Sequence, residues 1–216
     1  MSTIAVLGIV GTAFWFVWLP GYRPGLERGE QMGIDVSARQ GTIDWQRVGR
    51  DGITFAYIKA TAGADADRRF RRNWREAEAA AVRPGAYHFF TLCESGADQA
   101  AAFLDALPAD PYALPPAVDL EFDGNCSRRP KASTVRRELL TFVRTVESSI
   151  GRRLVLYLGD DVDARYHVTD HLDRPIWTRN LLRRPGVAGW RYWQASDRGR
   201  VDGIDVDVDI DVMSRR

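Results

Sequence analysis

Asp119 and Glu121 stand two residues apart in PAVDLEF, at the end of an apolar run. On an extended chain that spacing turns both side chains to one face, with Cα atoms about 6.5–7 Å apart. Two acids that close resist ionising together, so one should keep its proton above the usual range. A proton donor beside a carboxylate is what cleavage of a glycosidic bond needs. One group protonates the leaving oxygen and the other stabilises positive charge on the sugar. D-x-E alone is a weak motif, since many strands contain it by accident. Other chemistries find less support. DVDVDID (205–211) invites a calcium loop, but the glycine and glutamate wanted at its sixth and twelfth positions would fall on Ile210 and Arg216. The alternation instead turns Asp205, Asp207, Asp209 and Asp211 to one strand face. His167 and His171 are four apart with no acidic or cysteine partner at a metal spacing, so neither a metal nor any cofactor is expected. There is no G-x-S-x-G, and Cys93 and Cys126 lack the setting of a nucleophile.

The elements that must position these residues alternate at first. GIDVS (33–37), ITFAYIKA (53–60), GAYHFF (85–90), ALPPAVDLEF (113–122) and RLVLYLG (153–159) read as strands. Helices are expected between and after them. Asp44 caps one and Gly52 stops it. Phe70, Trp74, Ala77 and Ala81 form the apolar stripe of the next, whose arginines (68–75) are its solvated face. Ser95 and Asp98 open a helix over Gly96–Leu107, a long one covers Ser133–Ile150, and a weaker one about 161–170. Then alternation stops. PIWTR (175–179), WRYWQAS (190–196) and VDVDI (206–210) read as strands with gaps too short for crossover helices. Five βα units followed by three bare strands suggest an α/β fold, a modified TIM-like barrel with an incomplete helical ring. An open doubly wound sheet is the alternative, disfavoured because no glycine-rich phosphate turn follows a strand. In a barrel the active site lies at the carboxyl ends of the strands. Asp35, Lys59, His88, Asp119, Glu121, Tyr157, Trp177, Gln194 and Asp209 are expected there, near the ends of successive strands.

The 216 residues suit one ordinary domain, and 45% hydrophobic with 27% charged residues is the mix of a packed globule. Thirty basic residues against 29 acidic ones leave a net charge of +1, without the basic field that nucleic-acid binding needs. Only two of the basic residues are lysines, Lys59 and Lys131, a compositional habit rather than a site.

GIDVSARQGTIDW, FAYIKAT, GAYHFF, PAVDLEF, and WQ (193–194) followed by VDGIDVDVDIDVM resemble glycoside hydrolase family 25, the Chalaropsis- and Streptomyces-type lysozymes. The likeness runs from about Gly33 to Met213. It implies a barrel of five βα units and three further strands, and hydrolysis of the β-1,4 bond between N-acetylmuramic acid and N-acetylglucosamine with retention. By resemblance, Glu121 is the general acid/base, Asp119 supports the intermediate, and Asp35 and Asp209 complete the acidic set. Lys59, Tyr87, His88, Tyr157, Trp177 and Gln194 would line the sugar groove. The partner would be a peptidoglycan glycan strand, met by a monomer. Two departures stand out. Where the family commonly reads K-A-T-E-G, this chain has Ala62, which should alter loop contacts only. Where it usually reads V-D-L-N-x-F, this chain has Asp211, whose charge should raise the pKa of Asp209. A non-catalytic peptidoglycan-binding protein of the same fold, or a glycosidase for another amino-sugar polymer, is the alternative.

Ile4 to Pro20 carries no charge, about the shortest run that spans a bilayer. It lacks a basic start and a small-residue cleavage site, so 1–21 reads as an uncleaved membrane anchor rather than a signal, 22–31 as a linker and 32–214 as the catalytic barrel. The substrate would place that barrel outside the cytoplasm, in the periplasm or, if the segment is cleaved, secreted. Cys93 and Cys126 follow strands three and four at the same barrel end. In an oxidising compartment, such a pair should form a disulfide.

Overall fold

The computed structural model describes residues 20–186 and 189–215. The expected hydrophobic helix lies outside them. Among the described residues no helix is long and apolar enough to cross a membrane.

Five βα units come first: β1 (Gln31–Val36) with α1 (Trp45–Arg50), β2 (Phe55–Ala62) with α2 (Phe70–Ala79), β4 (Arg83–Phe89) with α3 (Gly96–Ala106), β5 (Ala117–Leu120) with α4 (Ala132–Ile150), and β6 (Val155–Leu158) with α5 (Asp160–Tyr166). Then come β7 (Ile176–Arg179), β8 (Trp190–Gly199) and β9 (Val208–Met213), with no further helix between them among the described residues. These eight strands close into a barrel, because β1 pairs with both β2 and β9. Ser95 caps α3 by accepting from the Asp98 amide at 3.1 Å, and Asp44 caps α1 through the Arg47 amide at 3.1 Å.

Three details depart from the pattern read in the sequence. A two-residue strand, β3 (Asp65–Ala66), folds back on the end of β2. Helix α2 stops before Ala81, which has φ 59°. The last strand begins at Val208 and runs antiparallel to both neighbours. The return from β8 at Gly199 to β9 at Val208 is short enough for a simple reversal, which needs no crossover.

Alternation along the strands makes two cores. Outward residues, such as Ile34, Ile58, Val118 and Leu156, pack against the helices. Inward residues plug the barrel with Phe55, Tyr57, Tyr87, Tyr157, Trp177, Tyr192 and Met213. The plug is tight. A Cβ on Gly33 would lie 2.4 Å from the Phe55 ring, so only glycine fits there. The outer face of β8 and β9, which lacks a helix, is covered by the segment read as a linker. Tyr22 packs on the cluster of Trp193, Ala195 and Val212. Arg23 pairs with Asp51 at 2.7 Å, and Arg184 pairs with Glu30 at 2.6 Å.

Candidate active site

A cleft of about 1100 Å³ opens at the carboxyl ends of the parallel strands. Asp35, Lys59, Tyr87, Asp119, Glu121, Tyr157, Trp177, Gln194 and Asp209 all line it. Reversal of β9 is what brings Asp209 there. It stands near the start of its strand, directly across from Asp35 near the end of β1. Strand β5 ends at Leu120, so Glu121 is one residue beyond it, yet lines the cleft with Asp119.

His88 does not join them. It points the other way from β4 and is fully buried. Its Nδ1 lies 2.7 Å from Thr61 Oγ1, its Nε2 3.0 Å from Gln99 Oε1, and its ring stacks on Phe142 at 4.5 Å. Tyr87 and His88 are consecutive strand residues, so only one of them can face the cleft. Burial lowers the His88 pKa from 6.5 to about 4, so the ring is neutral.

The floor of the cleft is a hydrogen-bonded chain. Tyr157 donates its hydroxyl to Gln194 Oε1 at 3.1 Å, and Gln194 Nε2 donates to Asp35 Oδ2 at 3.1 Å. Lys59 Nζ lies over the rings of Phe89 (5.2 Å) and Tyr87 (5.7 Å). Arg179 pairs with Asp197 at 2.7 Å on the rim, where Arg39 and Arg198 also stand. The sequence reading missed this rim set. Arg179, two residues after Trp177 on the same strand face, was the available signal.

Electrostatics push protons onto the acids. Burial, then the charge of Glu121, holds Asp119 well above the usual carboxylate range, and Asp119 Oδ1 has no hydrogen-bond partner. Burial and then Asp123 raise Glu121, while Arg179 and Lys59 pull it down. Burial first and Asp35 second raise Asp209 from 3.8 to about 9. Asp35 and Asp197 raise Asp209 while Arg39 pulls it down, and Asp209 and Asp211 repel each other along β9.

Cys93 and Cys126 form a disulfide with Cα atoms 6.2 Å apart. It ties the loops after β4 and β5 beside Glu121. Asn125 reinforces the join, donating to the carbonyls of Phe90 and Glu121, each at 2.9 Å. The turn after Ala62 is held by Glu94, which accepts from the Ala64 amide at 2.8 Å.

The sequence model described as "Glycosyl hydrolases family 25" matches residues 34–204. The "Uncharacterized protein YegX" of Escherichia coli (strain K12) is 37% identical over 192 residues, 84% of this chain and 69% of that protein. "Lysozyme M1" of Streptomyces globisporus is 33% identical over 196 residues, 82% of this chain and 65% of that one. The solved structure of a family 25 glycosyl hydrolase from Bacillus anthracis superposes with a TM-score of 0.79 at 32% identity, covering 89% of this chain and 92% of that one.

Proposed function

The chain belongs to glycosyl hydrolase family 25, and from that premise we propose that this lysozyme-type peptidoglycan hydrolase cleaves the β-1,4 bond after N-acetylmuramic acid with retention, Glu121 acting as general acid/base. The observation that carries the reading is the convergence of Asp35, Asp119, Glu121 and Asp209 on one cleft with aromatic walls. Glu121, at the mouth, protonates the departing glycosidic oxygen and then deprotonates the incoming water. Asp119, deeper and without a partner on Oδ1, is free to meet the positive charge that develops on the sugar, or to orient its acetamido group. Trp177 and Tyr157 line the part of the cleft where pyranoses would sit. Protonation of Glu121 is the working state of an acid, so kcat should fall as pH rises through its raised pKa.

Dye release from labelled peptidoglycan tests the reaction, with Glu121→Gln as control. Proton NMR of the first-formed product anomer tests retention. Binding to peptidoglycan without dye release would favour a non-catalytic protein of the same fold. We place the domain outside the cytoplasm, tethered by residues 1–21, because its substrate is there. Protection of the domain from protease in intact spheroplasts would overturn that placement.

A further inference from the structure

The aspartates of β9 leave one acid without a task. Asp209 faces Asp35, but Asp211 lies two residues deeper, opposite Gly33 on β1 and Gln194 on β8. It is fully buried. Its Oδ1 accepts from Trp177 Nε1 at 2.9 Å. Its Oδ2 receives no N–H or hydroxyl donor, and the carboxyl diagonal to it on the cleft side, two residues along β1 from Gly33, is that of Asp35. Two carboxyl groups can hydrogen-bond only when one of them carries a proton.

We propose that Asp211 is a positioning residue: it shares one proton with Asp35 and, anchored by Trp177, sets the orientation and protonation of Asp35 at the cleft floor. The inference rests on reading Asp35 as part of the hydrolytic site. The strand register brings the acids together: Asp209 stands directly opposite Asp35, and Asp211 stands opposite Gly33, so it is the diagonal neighbour of Asp35 on the same inner face. Gln194 donates to Asp35 from the side, so Asp35 is gripped by β8 and β9 at once. Groups facing the pair favour keeping the proton. Asp119 and Glu121 act on Asp35 from the β5 side, and Asp209 acts on Asp211 along β9. Tyr57, Tyr87 and Tyr157 face it as neutral phenols from β2, β4 and β6. The nearby cations act elsewhere: Arg39 on Asp209, Lys59 on Asp119, Arg179 on Glu121 and Arg191 on Tyr57.

Asp211→Asn keeps the shape and reverses the bond. Its Oδ1 still accepts from Trp177, and its Nδ2 now donates to Asp35, which must ionise at lower pH. Carbon NMR of protein labelled at aspartate carboxyls reads this directly. In the wild type, the Asp35 and Asp211 signals should move together with pH, as a shared proton requires. In D211N, the Asp35 midpoint should fall by about one pH unit or more. The limb of the kcat profile governed by Asp35 should move the same way, with KM unchanged. Independent titrations in the wild type, or an unmoved Asp35 midpoint in D211N, would overturn the proposal. If D211N does not fold, the wild-type titration decides alone. If the wild type does not release dye from peptidoglycan, the proposed function fails while the carboxyl titration still judges Asp211.

Discussion

Two buried polar clusters lie on opposite sides of the barrel wall, and they are built by opposite rules. Outside the barrel, His88, Thr61 and Gln99 satisfy one another. Gln99 also accepts from the Thr91 amide at 2.8 Å and donates to the Thr91 carbonyl at 3.0 Å. Inside it, acids of one sign are gathered, with Asp119 Oδ1 and Asp211 Oδ2 lacking donors. Buried acids of one sign repel one another, so a fold selected for stability alone would not gather Asp35, Asp119, Glu121 and Asp209 in one cleft. Mutual satisfaction in one cluster and mutual repulsion in the other thus separate the cluster that holds the fold from the one that acts.

The largest effect should come from the inner cluster. Glu121→Gln keeps the shape but cannot give up a proton, and loss of a general acid costs about 10²–10⁴-fold in kcat. The melting temperature should hold or rise. Asp119→Asn should lower kcat by a smaller factor with KM little changed, since Asp119 meets a charge that develops on the sugar only in the transition state. If both variants stayed near wild type in dye release, the division between the clusters would be lost.

The disulfide sharpens the contrast because it belongs to both faces, closing a loop between residues 33 apart beside Glu121. On the chain-entropy model it stabilises the fold by roughly 3–4 kcal/mol. Reduction should lower the melting temperature by about 10 °C, at some 2–4 °C per kcal/mol for a chain of this size. Activity should also fall below that temperature, as the rim of the cleft loosens. Calorimetry with and without reductant, beside dye release, checks both. The outer cluster should behave differently. His88→Phe leaves Thr61 and Gln99 short of a partner, at about 1–3 kcal/mol. Activity per folded molecule should be unchanged. A selective loss of kcat would put His88 back in the site.

Much of this was legible in the chain. Five helix-bearing strands and three bare ones could be counted, because hydrophobic period and gap length are local properties. The acids were legible because a carboxylate in an apolar strand has few other reasons to be there. What failed was facing. Tyr87 and His88 are neighbours on β4, and the chain alone does not say which turns inward. The reversal of β9 was also hidden, since an alternating strand reads the same in either direction. Arg179 and Asp197 were missed because their pairing joins two strands, which no local pattern records.

The pH dependence of stability sets the clusters directly against each other. His88 has a folded pKa of about 4, below its ordinary 6.5. Between those values the unfolded chain binds more protons, so this group makes stability rise with pH. Asp209 runs the other way. Its folded pKa is about 9 against an ordinary 3.8. Here the folded chain binds more protons, so the contribution is full below about pH 4 and is lost as pH climbs toward 9. Each group contributes a slope of at most about 1.4 kcal/mol per pH unit. The two oppose each other up to about pH 6.5, and above it the acid acts alone. Asp209→Asn has nothing to ionise, and its amide can still donate to Asp35. Its stability should therefore fall less steeply than wild type between pH 6.5 and 9, while kcat drops. His88→Phe should keep the alkaline fall and lose the rise on the acid side. Urea midpoints across this range measure both, and parallel curves for wild type and Asp209→Asn would mean that Asp209 is already ionised in the folded barrel.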